Sequence, residues 1–191
     1  MFANQAGLAI ENSQLYEMVV HKSHTDSLTF LWNHGFFQDT LIKELENAKT
    51  RNIPLSLVLI DIDNFKKFND TWGHQNGDLI LTELSKLLKD FSREGDYVCR
   101  YGGEEFSIIL TETNKERAFM IAERLREEIA QHNFPITASQ EPVKLTVSIG
   151  VATFPGDAHA KEELILKADK AMYTAKFIGK NRTCTPESDD T

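Results

Sequence analysis

The sharpest constraint on this chain is a pair of glycines between two apolar runs. Residues 100–110 read Arg-Tyr-Gly-Gly-Glu-Glu-Phe-Ser-Ile-Ile-Leu, so two adjacent acids follow the glycines directly. Glycine adopts positive φ at little cost and has no Cβ, and the pattern therefore predicts a hairpin turn that a phosphate or a metal ion can approach. Because neighbouring side chains of a strand point to opposite faces, we expect Glu104 and Glu105 to have different roles. An ordinary turn with solvated acids is the alternative.

A second acidic segment follows a short apolar run. Residues 55–60 have the length of a central strand, and Asp61 and Asp63 come immediately after it. Acids at the end of a buried strand suggest a metal site, because Mg²⁺ prefers carboxylate and carbonyl oxygens together with substrate phosphates. Asp61, the carbonyl of Ile62 and Glu104 could supply such ligands. Capping of a following helix is the alternative role of the two aspartates.

The composition is that of an ordinary globular domain, with 41% hydrophobic and 26% charged residues in a chain of 191. The formal net charge of −8 argues against general attraction to nucleic acid or to an anionic membrane, and it leaves room for a local basic pocket. Cys99 and Cys184 lack zinc-site spacing, so we expect reduced thiols. No apolar run could span a bilayer and no signal peptide is evident, which predicts a cytoplasmic location.

Apolar residues recur at helical spacing in four segments and follow strand patterns elsewhere. The predicted helices cover 37–48, 80–91, 118–129 and 164–178, and the last one stops at Gly179. The predicted strands are 55–60, the hairpin of 97–110 and a half-exposed strand over 143–151. This order of helices and strands predicts an α+β fold.

These segments together resemble the GGDEF family of bacterial diguanylate cyclases, with Glu in the third position of the motif. Residues 61–78 read Asp-x-Asp-x-Phe-Lys-x-x-Asn-Asp-x-x-Gly-His-x-x-Gly-Asp, and residues 175–181 read Ala-Lys-x-x-Gly-Lys-Asn, both with the family's spacing. The resemblance covers about 26–181. It implies a central, mainly antiparallel sheet flanked by helices, like the palm of nucleotidyl cyclases.

The resemblance also implies a reaction, the condensation of two GTP into cyclic di-GMP and two pyrophosphates. Asp61, Ile62 and Glu104 are then the expected ligands of Mg²⁺, with Mn²⁺ as an alternative ion. Glu105 is the candidate that accepts the proton of the attacking 3′-hydroxyl, directly or through water. A hydroxyl pKa lowered by the metal could instead make a dedicated base unnecessary. The expected catalytic residues are therefore Asp61, Glu104 and Glu105.

Contacts to GTP follow from the same resemblance. Asn69 and Asp78 are expected to recognise guanine, since one carboxylate accepts from both its N1–H and its amine. Read alone, these two would be turn and cap residues. Lys176 and Lys180 are expected to hold the β- and γ-phosphates, although lysines near a helix C-terminus also complement its dipole. The other expected substrate contacts are Phe65, Lys66 and His74.

A product-binding site is implied just before the hairpin. Arg93 and Asp96 match the family's inhibitory RxxD site at its usual distance from the Gly-Gly turn. The guanidinium of Arg93 can bind a phosphate or a guanine edge, and Asp96 can accept from guanine donors. Arg124 is a candidate second contact. A surface ion pair is the alternative interpretation of Arg93 and Asp96.

The chain departs from the family at four positions. Lys180 replaces the usual Arg and loses a two-pronged contact with phosphate. Phe30, His34 and Gly35 stand where the family usually has Gly, Arg and Arg, which affects the packing beneath the base pocket. These departures keep a second function open, a catalytically silent module that binds GTP or cyclic di-GMP.

Three parts of the chain are predicted, namely an N-terminal signalling helix over 1–25, the catalytic domain over 26–183 and a disordered tail over 184–191. In the first part, Leu8, Leu15 and Val19 form a stripe typical of a two-stranded coiled coil, or of a lone helix packed on its own domain.

The start of that helix, residues 2–12, resembles the last helix of a GAF domain, which implies an upstream sensory domain. The family resemblance further implies that two GTP-loaded domains face each other, so we expect catalysis by a homodimer.

Overall fold

The described part of the chain forms a five-stranded sheet with helices on both faces. A computed structural model describes residues 24–139 and 141–186. The elements in chain order are α1 (His34–Arg51), β1 (Leu55–Ile62), α2 (Phe65–Trp72), α3 (His74–Phe91), β2 (Tyr97–Arg100), β3 (Glu105–Leu110), α4 (Lys115–Gln131), β4 (Val147–Phe154), α5 (Lys161–Phe177) and β5 (Arg182–Cys184). None of the helices in these two ranges is long and apolar enough to cross a membrane.

The strand order is β2-β3-β1-β4-β5, which places β1 in the centre. Strand β1 is antiparallel to both β3 and β4, β2 is antiparallel to β3, and β5 is parallel to β4. The predicted α+β class with a mainly antiparallel sheet is therefore confirmed. The register also sets Asp61, near the end of β1, opposite Glu105 at the start of β3.

Both faces of the sheet are covered, so all eight residues of β1 are buried. Alternate residues of β1 enter two separate cores, as the two-residue period of a strand requires. Val58, Ile60 and Ile62 pack in a core with α2, α3 and α4. Leu55, Leu57 and Leu59 pack in the other core with α1 and α5. The end of β1 is thus held rigidly from both sides.

The four predicted helices and the hairpin are present in the structure, whereas the predicted strand over 143–151 is wrong in two respects. Strand β4 begins at Val147, and all eight of its residues are buried. It is buried on both faces because α4 packs on one side of it and α5 on the other. Val143 instead forms an isolated bridge with Phe134.

Two short elements, α2 and β5, were not predicted. Cys184 is the last residue of β5, so the predicted tail from residue 184 begins too early. Both cysteines are free, as expected. Of the predicted helix over 1–25, residues 1–23 lie outside the described residues.

Gly150 allows β4 to approach α5 closely. A Cβ at this position would lie 2.1 Å from the carbonyl oxygen of Ala168 and 2.4 Å from the nitrogen of Met172. Both atoms belong to the backbone of α5, so neither can move without shifting the helix. The contact between β4 and α5 therefore depends on the absence of a side chain.

We predict that Gly150→Ala lowers the free energy of unfolding by about 1–3 kcal/mol, because overpacking forces the helix away from the sheet. Urea denaturation measures the change. Gly156→Ala is the matched control, since a Cβ there would meet no atom within 4 Å. An unchanged midpoint for Gly150→Ala would contradict the close contact.

Candidate active site

Three acidic residues, Asp61, Glu104 and Glu105, are neighbours along the backbone ladder where β1 ends beside the β2–β3 turn. Asp61 pairs in register with Glu105, and the N–H of Ile62 donates to the carbonyl of Glu104 at 3.4 Å. The antiparallel ladder therefore brings together residues that are more than 40 positions apart in the sequence. Because β1 is the central strand, this acidic cluster lies at the end of the best-supported strand of the sheet.

The Gly-Gly turn has the predicted hairpin position, but its glycines serve a different purpose. Neither Gly102 nor Gly103 has φ in the left-handed region, so the expectation of positive φ is wrong. A Cβ on Gly102 would lie 2.7 Å from the Oε2 atom of Glu105, whereas Gly103 faces open space. The turn needs glycine at position 102 because the carboxylate of Glu105 lies against it.

Lys176 supplies the positive charge at the centre of this cluster. Its Nζ atom lies 2.7 Å from the Oδ2 atom of Asp61, and the Asp61 side chain is buried. Burial raises the pKa of Asp61, while the hydrogen bond and charge of Lys176 oppose that rise. Lys176 thus keeps a buried carboxylate paired.

The neighbouring acids are perturbed in the same direction. Burial raises the pKa of Glu104 and of Glu105, and the charge of Asp61 raises both further. The charge of Asp169, on α5, adds to the rise in the pKa of Glu105. These carboxylates therefore repel one another and favour an additional cation or a proton.

A divalent cation fits the donor chemistry of this cluster, since carboxylate and carbonyl oxygens are its preferred ligands. Within residues 24–139 and 141–186, no three acidic, histidine or cysteine side chains converge as a ready metal site. The predicted ligand set consists of only two such side chains, Asp61 and Glu104, together with the backbone carbonyl of Ile62. The absence of a three-residue group therefore does not test this set, which stays a prediction. In this structure the ammonium group of Lys176 is the cation paired with Asp61.

Asp63 has a role that sequence reasoning missed. Its Oδ1 accepts from the hydroxyl of Ser148 at 2.6 Å, and its Oδ2 accepts from Thr146 at 2.7 Å and from the N–H of Asn181 at 2.9 Å. Asp63 therefore ties the end of β1 to the start of β4 and to the residues before β5. It does not cap α2, whose N-cap residue is Asn64.

The hydrogen bond between Asp63 and Asn181 holds the neighbouring residue Lys180 near the end of β1. The Nζ atom of Lys180 donates to the Oδ1 atom of Asn64 at 2.6 Å, at the start of α2. Lys180 itself is in the left-handed region, with φ 62°, and its N–H donates to the carbonyl of Ala175 at the end of α5. The two lysines after Ala175 thus reach two neighbouring points, Lys176 at Asp61 and Lys180 at Asn64.

The residues predicted to read guanine lie on α2 and α3. The Oδ1 atom of Asn69 is buried and has no hydrogen-bond partner. A Cβ on Gly77 would lie 2.0 Å from this atom and 3.3 Å from the ring of Phe65. The structure therefore brings Asn69, Gly77 and Phe65 into one place, and leaves there an acceptor that lacks a donor.

The other predicted substrate residues are exposed around this place. His74 and Asp78 are one turn apart on α3, so they share a face of that helix. Lys66 is exposed on the first turn of α2. Phe65 differs from them because it is buried, with 5% of its surface exposed, and belongs to the core. It packs in the core beside Gly77.

The predicted inhibitory residues form an ion pair. Asp96 is almost fully buried, 3.5 Å from the Nε atom of Arg93, and burial raises its pKa. Arg93 also donates to the carbonyl of Thr111 at 2.5 Å and to the hydroxyl of Thr113 at 3.1 Å. The guanidinium of Arg124 instead lies 5.4 Å from the ring centre of Phe91.

A cavity of 490 Å³ adjoins this ion pair. Arg93 and Asp96 line it, together with Phe30, Lys89 and others. Phe30, one of the departures from the family pattern, is therefore at this cavity. His34, another departure, is exposed beside the Gly-Gly turn, where its Nδ1 atom lies 3.1 Å from the carbonyl oxygen of Tyr101.

Comparison with known proteins agrees with these features. A family model described as "Diguanylate cyclase, GGDEF domain" matches residues 23–182. Diguanylate cyclase A of Treponema denticola is 38% identical over 185 residues, which are 94% of this chain and 48% of that protein. Diguanylate cyclase DosC of Escherichia coli K12 is 42% identical over 170 residues, 88% of this chain and 36% of that protein. The chain thus spans half or less of these relatives.

A solved structure gives the same fold. The coiled coil and GGDEF domain of DgcB from Caulobacter crescentus, in complex with c-di-GMP, superimposes with a TM-score of 0.87. The sequences are 29% identical, and the match covers 96% of each chain.

We predict that Glu105→Gln raises the thermal unfolding midpoint at pH 7. The raised pKa of Glu105 means that folding disfavours its ionised form. The folded state favours the protonated form of Glu105. The stability that this preference contributes is therefore fully present below the ordinary pKa of 4.5, and it is lost as pH rises through the pKa of the folded state. The advantage of the variant should shrink as pH falls toward 4.

Thermal scans between pH 4 and pH 8 check this, with Glu46→Gln on the exposed face of α1 as the matched control. A lower midpoint of Glu105→Gln at pH 7 would show that Glu105 stabilises the fold instead.

Proposed function

This chain belongs to the GGDEF family of diguanylate cyclases, and from that premise we propose that it condenses two molecules of GTP into cyclic di-GMP. Each 3′-hydroxyl attacks the α-phosphate of the other GTP, and two pyrophosphates leave. The observation that carries the proposal is the set of three perturbed carboxylates, Asp61, Glu104 and Glu105, around Lys176. Phosphoryl transfer depends on such positioned charges, because little else needs to be supplied by the protein.

Guanine selection rests on Asn69 and Asp78. The buried Oδ1 atom of Asn69 lacks a donor, and the N–H groups of guanine supply one. Gly77 is needed beside it because a side chain there would fill this space. The exposed carboxylate of Asp78 accepts the remaining guanine donors, and adenine would leave these acceptors unpaired. His74 shares the face of α3 that carries Asp78 and contacts the same nucleotide.

The triphosphate lies between the lysines. Lys176 and Lys180 approach from the end of α5, and Lys66 stands on the first turn of α2. In the described structure no side chain caps α2, so its N-terminal N–H groups also face the phosphates. On GTP binding, Lys176 exchanges Asp61 for a phosphate oxygen, and Lys180 does the same with Asn64.

Asp61, the carbonyl of Ile62 and Glu104 would hold a divalent cation, Mg²⁺ or Mn²⁺. When bound, such an ion offsets the charge of the phosphates and of the leaving pyrophosphate. Glu105 accepts the proton of the 3′-hydroxyl, for which its raised pKa makes it a better base than an ordinary carboxylate. Gly102 leaves room for this carboxylate beside the turn.

One chain provides half of the reaction, because each of the two GTP molecules is held by its own domain. We therefore propose that catalysis occurs in a homodimer with the two sites face to face. Residues 1–25 would join the two chains and connect them to an upstream sensory domain, so that the input changes the population of productive dimers.

Arg93 and Asp96 would form the product-binding site that limits synthesis. The adjoining cavity of 490 Å³ is large enough for a nucleotide. Binding requires Arg93 to leave Thr111 and Thr113 for a phosphate or a guanine edge, and Arg124 would add a second cation.

Incubation with GTP and Mg²⁺, followed by chromatography of the nucleotides, tests the activity. We expect cyclic di-GMP from the chain, and a rate lower by about 10²–10⁴-fold for Glu105→Gln, because the proton acceptor is lost. Glu46→Gln should behave like the original chain. Nucleotide binding without any product would favour the second candidate, a silent binding module, which the atypical segment with Phe30 and His34 keeps open.

The inhibitory site predicts a different outcome. Arg93→Ala should raise the concentration of cyclic di-GMP that halves the rate by about tenfold or more, because a charged hydrogen bond to the product is lost. Arg51→Ala, which removes an exposed arginine paired with Glu112, is the matched control. Equal inhibition of both variants would rule out Arg93 as a product contact.

A further inference from the structure

Phe30 is held in an unfavourable backbone conformation with its ring in solvent. Its φ is 56°, in the left-handed region, and 76% of its surface is exposed. Bulky residues rarely adopt this conformation, because the Cβ atom crowds the backbone. The next residue, Leu31, is by contrast buried in the core with 4% exposed. The turn thus buries Leu31 and presents Phe30 outward.

The surrounding hydrogen bonds leave Phe30 no choice of backbone. Its N–H donates to the carbonyl of Asp26 at 2.9 Å, and the N–H of Asp26 donates to the carbonyl of Leu31 at 2.8 Å. The carboxylate of Asp26 accepts from the hydroxyl and the N–H of Thr29 and is paired with Arg100 at 3.0 Å. These contacts fix the turn whatever side chain stands at position 30.

A glycine would satisfy the same turn without strain. The phenyl ring therefore adds a steric cost, and its exposure means that the described residues recover little of it by burial. Strained residues of this kind are retained where the side chain has a function. Phe30 lines the cavity of 490 Å³ beside the Arg93 and Asp96 pair.

That cavity combines three kinds of group that suit a nucleotide. Lys89 and Arg93 are cations for phosphates, and the acids Glu94 and Asp96 are acceptors for a base edge. Phe30 adds an aromatic face, which attracts a purine ring by stacking. An inorganic anion would use the cations and would gain nothing from an exposed aromatic face.

We propose that Phe30 is a stacking platform for a guanine ring of cyclic di-GMP bound in this cavity. This inference rests on the product-binding function proposed for Arg93. It assigns to Phe30 a specificity-determining contact, made by a residue whose position in the turn is fixed before the ligand arrives. Preorganisation of this kind removes the cost of ordering the backbone of the turn on binding.

Three variants of Phe30 separate the ring from the backbone strain. Phe30→Gly removes both, Phe30→Leu removes the aromatic face and keeps an apolar side chain, and Phe30→Trp enlarges the face. Cyclic di-GMP is titrated into each full chain by calorimetry, with a saturating GTP analogue that has an uncleavable α–β bridge, so that the substrate site is occupied. Arg93→Ala is titrated in parallel.

We expect the dissociation constant to rise about tenfold for Phe30→Gly and Phe30→Leu, and to stay equal or fall for Phe30→Trp. The thermal midpoint of Phe30→Gly should not fall, since the strain is relieved, and this shows that the variant is folded.

Affinity of Phe30→Gly and Phe30→Leu equal to that of the original chain would overturn the role of Phe30. If Arg93→Ala also bound normally, or if the original chain bound no cyclic di-GMP, the inhibitory site itself would be rejected. A loss of affinity that followed only a change in oligomeric state, measured by sedimentation, would assign Phe30 to an interface between chains and would likewise overturn the proposal.

Discussion

The site depends on holding carboxylates of like charge close together at the ends of β1 and β3, in a sheet that is covered on both faces. The charge of Asp61 raises the pKa of Glu104 and of Glu105, and Lys176 is the cation that keeps Asp61 paired. Such an arrangement would open if the backbone were free, because like charges at close range repel one another. The antiparallel ladder between β1 and β3 prevents this, since the register fixes Asp61 opposite Glu105.

The second support is Asp63, whose carboxylate joins three parts of the chain. Its partners Ser148 and Asn181 are 85 and 118 positions away in sequence. By holding the segment after α5 against the end of β1, Asp63 carries Lys180 to the start of α2. A buried carboxylate with three donors is worth more than a surface pair, because each donor would otherwise be left unsatisfied. Lys180 therefore owes its position to Asp63, a residue outside the proposed substrate contacts.

The sequence predicted secondary structure correctly where one hydrophobic period extended over a long segment. It predicted wrongly where the conformation or exposure of a residue depends on elements that are distant in sequence. Helix α1 could be predicted from its apolar residues, such as the buried Phe37 and Leu41, because only one face of this helix packs on the sheet. Strand β4 was misread as half-exposed, since nothing local reports that helices cover both of its faces. The glycines of the turn were expected at positive φ, but Gly102 is required by the carboxylate of Glu105. Short elements such as α2 and β5 carry too few residues for a period to show.

The sequence by itself determined the chemistry, namely which acids, lysines and amides are present and at what spacing, and hence the family. Tertiary structure alone decided their partners. It placed Lys176 on Asp61, left the Oδ1 atom of Asn69 without a donor, and set Phe30 in a strained turn beside the cavity next to Arg93. The reason is physical, because side-chain identity and local period are encoded along the chain, whereas burial and pairing arise between residues that meet only after folding.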